Sequence, residues 1–294
     1  MFKKISYFLF LIFKILDRIT ILTFKKSFLH WFKQFIHQES YIKIDILNKK
    51  TIFFIPNHYT EWRVNNFLTK EPETIDWINS FDNSKKFSMW DIGSNIGTFS
   101  IYTAMKHDNA EIISFEPSTS NLRVLTRNIS INKLEDRIKV ITFPLIDKKN
   151  QFLMMNEGEF EEGGSHNNYG LNTDYEGKNF LPEMKYNVFG TNINDLLENK
   201  IINIPNYIKI DVDGIEHLIL LGADKFLNHK NLVSLSIEIN EDYQEQYNSV
   251  LKIIKNYQLK NIKLLSVSKG PERNAGREIV HLENKNINLK PTDV

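Results

Sequence analysis

Residues 87–100, FSMWDIGSNIGTFS, decide how the chain is read. A short apolar run ends at Trp90, and Asp91 and Ile92 follow. Gly93 and Gly97 then stand four residues apart, ahead of an apolar segment that runs to Ala104. This order predicts a buried strand, a tight glycine turn and a helix start. Glycine at 93 lets the backbone turn with positive φ, and glycine at 97 lets helix and ligand approach closely. The unpaired N–H groups of the first helical turn then favour a polar or anionic group. A second apolar run, EIISFEP at 111–117, closes on Glu116. A carboxylate there can accept hydrogen bonds from both hydroxyls of a ribose. A glycine turn and an acid at two neighbouring strand ends define a nucleoside site.

What the turn lacks narrows the nucleoside. A dinucleotide fingerprint begun at Gly93 needs glycine where Asn95 and Thr98 stand, and no Gly-Lys-Ser/Thr follows for a phosphate loop. Asp91 adds negative charge at the strand end, which suits a cationic ligand better than a pyrophosphate. The D-x-G-x-x-x-G arrangement from Asp91 to Gly97 resembles the first motif of class I S-adenosylmethionine methyltransferases, whose acid lies near the methionyl part of the cofactor. On this stretch alone, another nucleotide and an ordinary strand–turn–helix remain alternatives.

A chain of 294 residues buries one large α/β core with appendages, or two small domains. The absence of cysteine excludes disulfides, thiolate metal sites and cysteine nucleophiles. A formal charge of +1 argues against nucleic acid as partner. The charge is uneven, however. Residues 1–40 hold seven Lys or Arg against Asp17 and Glu39, a net +5 that leaves −4 for the remainder. The longest uncharged run there, residues 5–13, is too short to span a bilayer. On a helix, Lys3, Tyr7, Lys14, Arg18 and Lys25 fall along one line and most of the circumference is Phe, Leu and Ile. Residues 1–27 therefore read either as an interfacial helix on an anionic membrane or as a helix packed on the core or on a second subunit. A signal peptide is the weaker alternative, since no small-residue cleavage site follows.

Further along, residues 41–55 read as a hairpin turning at 48–50, and Pro72 suits an early helical position in KEPET. We divide the chain into an N-terminal helical and hairpin segment, 1–60, and a main domain, 61–294. Arg63 and Glu71 are candidates to line the cleft. Asn121, in the helix after Glu116, is placed near the adenosine. Residues 157–185 are polar and glycine-rich without a period, which reads as a functional loop, and His166 within it is a candidate general base. The second landmark is YIKIDVDGIE at 207–216, a strand ending at Asp211 with a turn at Asp213 and Gly214. In an open parallel sheet Asp211 looks into the same crevice as Asp91 and Glu116. Glu238 and Asn240 close the next strand at that edge.

Together these landmarks resemble the FkbM family of S-adenosylmethionine-dependent methyltransferases. The resemblance is carried by KEPET at 70–74, WDIGSNIGTFS at 90–100, FEPSTSN at 115–121, Gly163-Gly164-Ser165, KIDVDGIE at 209–216, Gly222-Ala223 and SIEIN at 236–240. It implies an α/β, Rossmann-like class I fold: a seven-stranded, mostly parallel sheet with an antiparallel last strand, helices on both faces, and the N-terminal segment as an extension. It also implies O-methylation of a hydroxyl, in a family associated with natural products and cell-surface glycans. By similarity, Asp91, Gly93, Asn95 and Gly97 embrace the methionyl portion and Glu116 the ribose. Asp211 then lies near donor and acceptor, with Asp213 and Glu238 toward the substrate. Two positions depart from the family pattern: Asn194 stands where an acid is usual, and Asp213 where Glu is usual.

Methyl transfer needs an acceptor oxygen aligned behind the sulfonium and a place for its proton. Asp211 is the first candidate to receive it and His166 the second. Asp211 and Glu238, with Asn240 nearby, can alternatively hold a divalent ion. The expected acceptor is a sugar or cell-surface glycan hydroxyl. A lipid or nitrogen acceptor and a non-catalytic nucleotide-binding scaffold are the competing readings. The expected location is the cytoplasm, with residues 1–27 either peripheral on the inner membrane face or forming a homo-oligomer.

Overall fold

The structure is a computed structural model and describes residues 1–165, 167–256, 260–266 and 277–283. The chain opens with helices α1 (Phe2–Phe24) and α2 (Phe28–Gln38), then a hairpin of β1 (Tyr41–Ile46) and β2 (Lys49–Phe54). Leu47 and Asn48 turn the hairpin at positive φ, 54° and 63°, one residue earlier than expected. Two successive left-handed residues match the twist of paired strands. Helix α3 (His58–Lys70) starts on a reciprocal cap between Asn57 and Thr60, and α4 (Pro72–Asn79) has Pro72 in its first turn.

The alternation that follows builds the site-bearing sheet: β3 (Phe87–Ile92), α5 (Thr98–Lys106), β4 (Ala110–Phe115), α6 (Thr119–Ile131) and β5 (Ile138–Ile141). An inserted group comes next, β6 (Gln151–Glu157), β7 (Asn167–Tyr169) and β8 (Met184–Gly190). The sheet then resumes through α7 (Ile193–Glu198), β9 (Tyr207–Ile210), α8 (Glu216–Leu221), β10 (Ser234–Asn240) and α9 (Gln244–Asn256), with β11 (Lys260–Ser266) and β12 (Arg277–Glu283) last. Five strands run parallel in the order β10-β9-β3-β4-β5. Alongside β10, β12 is registered antiparallel, and β11 pairs antiparallel with β12.

Strand alternation sorts the side chains between two apolar clusters. Phe87 and Met89 of β3 join Ile101 of α5 and Leu125 of α6, whereas Trp90 and Ile92 join Ile219 of α8 and Val250 of α9. Helices thus cover both faces, as a parallel sheet requires. The same period two sends Asp91, Lys209 and Asp211 to the α5 side with Met89 and Tyr207.

Two expectations change. The 157–185 stretch is not loop throughout: β6, β7 and β8 form a separate antiparallel sheet, with Glu157 opposite both Asn167 and Met184. Within the stretch, β7 is too short to show a period and most of β8 lies beyond residue 185. At the N-terminus, the hairpin is part of the main core. Phe54 N donates to Asn128 Oδ1 at 2.7 Å, and Ile52 exchanges two hydrogen bonds with the Asn132 amide. Helix α1, by contrast, has no buried residue, so it does not pack on that core.

Candidate cofactor and acceptor site

The turn after β3 is held from both sides. Gly93 has φ of 83°, and a Cβ added there would sit 1.9 Å from the Asp211 carbonyl oxygen. A glycine is therefore demanded by the neighbouring strand as well as by the turn. Gly97 has φ of 86°, and its missing Cβ would meet Leu125 Cδ1 at 2.5 Å. The close approach it allows within the protein is to α6.

Glu116 stands beside this turn, buried, with Oε2 accepting from Asn95 N at 2.7 Å and Oε1 from Ser118 N at 2.9 Å. Burial outweighs both N–H groups and pushes its carboxyl up to about 8. Glu157 adds repulsion; it too is buried and raised by desolvation, and it accepts from Tyr186 Oη at 2.6 Å.

The two amides assigned to the cofactor grip a loop. Asn121 Oδ1 accepts from Gly163 N at 2.8 Å, while Asn121 Nδ2 and Asn95 Nδ2 donate to Gly164 O at 3.4 and 2.9 Å. Arg63 donates to Gly163 O and Asn57 to Glu162 O. The Gly163-Gly164 element thus closes over the cofactor turn. Arg63 lines the cleft by holding that loop. His166 lies outside the described residues.

At the neighbouring corner, charges are laid side by side by register. Asp91 lies opposite Ser114 on β4 and Lys209 on β9, and Lys209 lies opposite Ser236 on β10. Lys209 Nζ is 2.7 Å from Asp211 Oδ2 and 4.8 Å from the Phe99 ring centroid. Burial alone would lower the Lys209 ammonium, but Asp211, Glu71 and Asp91 outweigh it and hold it above its ordinary value. For Asp211 burial would raise the carboxyl; Lys209, a side-chain hydrogen bond with Glu238 and the charge of Lys70 hold it well below. Asp91 is raised by burial, which Lys209 and the Ser100 hydroxyl only partly oppose. Its Oδ1 has no hydrogen-bond partner among the described residues.

Beyond Asp211 the chain turns sharply, with Asp213 at φ of 57°. Glu216 braces this turn: it accepts from Val212 N at 3.0 Å, from Gly214 N at 3.1 Å and from the Gln246 amide. Burial pushes Glu216 up to about 7. Asp213, Glu238, Asn240 and Tyr175 then line a small crevice of about 10 Å³. Asn240 is committed to protein, donating to Tyr175 O at 2.9 Å and accepting from Asp242 N at 3.0 Å. Among the described residues no three His, Asp or Glu side chains are grouped to hold a metal ion.

Two further cavities, of about 60 and 40 Å³, share Gly93, Pro117, Met155, Asn167 and Val212. The first holds Asn95, Glu116, Asn121 and Asp211. The second is apolar, with Phe115, Phe143, Leu145 and Ile219. The chemistry of this pair suits an adenosyl group: an apolar slot for a base beside a buried acid for vicinal hydroxyls. A wider cavity of about 410 Å³ lies at the opposite strand ends, around Lys86 and Ser88, where parallel sheets do not place ligands.

Lys209, Glu157 and Tyr186 were not singled out from the sequence. Lys209 was legible as a charge at an inward position of a buried strand; the other two are brought in by the inserted sheet. Asn194, at the family's acid position, serves structure: its Nδ2 donates to Asp224 Oδ1 at 2.7 Å and its N to Gly222 O at 2.8 Å.

Fold and site together define an α/β domain whose crevice lies at the carboxyl ends of a parallel sheet. Residues 91–260 match the model of the Methyltransferase FkbM domain, more than half of the chain. The chain belongs to that family. Among curated proteins it is similar to methyltransferase sdnD of Sordaria araneosa, 39% identical over 51 residues, 17% of this chain and 20% of that protein. It is also similar to the hexuronic acid methyltransferase AglP of Haloferax volcanii, 26% identical over 157 residues, 52% of this chain and 57% of that one. The chain therefore spans about a fifth of the first and somewhat over half of the second. A solved FkbM methyltransferase from Methylobacillus flagellatus aligns over 76% of this chain and 55% of its own, with 17% identity and a TM-score of 0.45. The N-terminal domain of human METTL16, in complex with SAH, aligns over 75% and 69%, with 12% identity and a TM-score of 0.42.

Proposed function

We propose that the chain methylates a hydroxyl of a neutral sugar or glycan. The observation that carries this reading is the grouping of Asp213, Glu238 and Tyr175 around a crevice just beyond Asp211, at the end of β9. Carboxylates beside an aromatic residue are hydrogen-bonding chemistry for sugar hydroxyls. The similarity to AglP supports a sugar acceptor. The carboxylates of Asp213 and Glu238 repel a carboxylate-bearing sugar and so favour a neutral one.

Bound S-adenosylmethionine supplies an electrophilic methyl on a good leaving group. In this reading Glu116 holds the ribose, Asp91 the cationic end, and Gly93 and Gly97 shape the turn. Asn95 and Asn121 act on the same pocket through the Gly163-Gly164 loop. Asp211, held ionised by Lys209, is a weak proton acceptor but a strong hydrogen-bond acceptor, so its role is to orient the hydroxyl. His166 keeps the role of proton acceptor. The finer fold reading, seven strands with an antiparallel last strand, is supported by the register of β12 against β10.

The test is incubation with methyl-labelled cofactor and separate neutral-glycan, uronic-acid, lipid and amine acceptors, with and without chelator. Label in the neutral glycan, unaffected by chelator, is the expected result. Label confined to lipid or nitrogen acceptors would overturn the acceptor reading.

A further inference from the structure

The α1–α2 pair presents a surface that the proposed reaction does not use. Phe13 of α1 packs edge-on to Phe28 and Phe32 of α2, with centroids 6.2 and 4.9 Å away. Asp17 Oδ1 accepts from Ser27 Oγ at 2.8 Å and from Leu29 N at 3.0 Å, fastening the two helices. These contacts occupy the side of α1 that bears Phe13 and Asp17. At 100° per residue, Phe8, Ile12, Ile15, Ile19 and Leu22 occupy the opposite side. They are 63, 38, 61, 51 and 74% exposed. Lys14 and Arg18 run along one edge of this apolar face. The crevice between the helices is lined by Lys14, Lys26 and Lys33, with Phe10 and Trp31.

This is the composition of a surface helix for an anionic bilayer: an exposed apolar face with Lys14 and Arg18 along its edge. The net +5 of residues 1–40 is complementary to anionic headgroups and repels a second copy of itself. Among the described residues no helix is long and apolar enough to cross a membrane, so contact is in the plane of the surface. The pair is also fixed to the body. The His37 ring lies 4.9 Å from that of Phe54 and hydrogen-bonds Arg123, whose guanidinium pairs in turn with Glu162 of the loop over the cofactor turn. A bilayer held by α1 is therefore held at a set position relative to the site.

We propose that α1 docks the enzyme on an anionic lipid surface, with Phe8, Ile15 and Ile19 entering the acyl boundary and Lys14 and Arg18, along the edge of that face, meeting lipid phosphates. The test is flotation of the full chain with vesicles of phosphatidylglycerol and phosphatidylcholine, against vesicles of phosphatidylcholine alone. Binding should be at least about tenfold stronger to the anionic vesicles and should weaken as salt rises above about 0.1 M. The variant K14Q/R18Q should bind anionic vesicles about 25-fold more weakly, near fivefold for each charge. I15E/I19E should not float with either vesicle. Unchanged unfolding midpoints in both variants would show that the body is intact, since every altered side chain lies outside the core. Equal binding to neutral and anionic vesicles, or no flotation of the parent chain, would overturn the proposal. So would a dimer in the parent chain that I15E/I19E dissolves without lipid, which would assign the face to a second copy.

Discussion

Strands β4 and β9 flank β3, and each leads into an acid at the same edge of the sheet, Glu116 buried and Asp211 half-buried. At the β4 corner Glu116 has backbone N–H groups and the Asn121 side chain as partners but no cation, and burial drives it up to about 8. At the β9 corner Asp211 has the Lys209 ammonium at 2.7 Å, which holds it well below the carboxylate range. The two acids therefore depend on pH in opposite senses. The stability tied to Asp211 is present above its unfolded value and is lost as pH falls toward the folded one. For Glu116, stability is full below its unfolded value, near 4.5, and is lost as pH rises through about 8. One corner is thus poised to exchange a proton when a ligand arrives, and the other keeps a fixed charge. A buried carboxylate is defined by its nearest partner, not by the strand end it occupies.

The most disruptive way to break this comparison is G93A. A Cβ 1.9 Å from the Asp211 carbonyl forces the two corners apart, in a residue that also needs positive φ. The expected cost exceeds about 4 kcal/mol, read from denaturant unfolding or from failure to recover folded protein. An unchanged midpoint would contradict the packing described. Next is K209M, which leaves Asp91 buried and Asp211 half-buried without their cation, at a cost of about 3–5 kcal/mol. It also reverses the sign at Asp211. With its pKa raised, the variant should melt higher at pH 5 than at pH 8, whereas an Asp211 still held low would leave no such gain. The smallest effect is expected from N121A, which frees the Gly163-Gly164 loop from one of its amides. Global stability should fall by about 1 kcal/mol, and proteolysis at 157–165 should quicken. Unchanged cleavage there would show that Asn121 does not hold the loop.

The cofactor corner was legible because its features are local. Gly93, Gly97 and Glu116 follow from turn chemistry and strand ends, and alternation alone placed Asp91 and Asp211 at one edge. What escaped depends on contacts distant in the chain. Lys209 looked like filler until register set it opposite Asp91 and on the same face as Asp211. The hold of Asn95 and Asn121 on the Gly163-Gly164 loop was not legible, because those glycines lie more than forty residues away from Asn121 along the chain. Within 157–185, β7 escaped because a three-residue strand carries no period, and β8 because its partner β6 lies far upstream. Asn194 read as a departure in the site, yet its hydrogen bonds run to Gly222 and Asp224, a capping role the pattern could not show.

The most direct measurement is calorimetric titration of the parent chain and E116Q with S-adenosylhomocysteine from pH 6 to 9. Accepting both ribose hydroxyls requires an ionised Glu116, so binding below about pH 8 must expel its proton. The account predicts affinity rising toward about tenfold per pH unit up to pH 8, then levelling. E116Q should bind at least about tenfold more weakly at pH 8 and show no such slope. Binding by E116Q equal to the parent chain at every pH would contradict Glu116 as the ribose acceptor. Absence of heat with the parent chain would contradict the cofactor site itself.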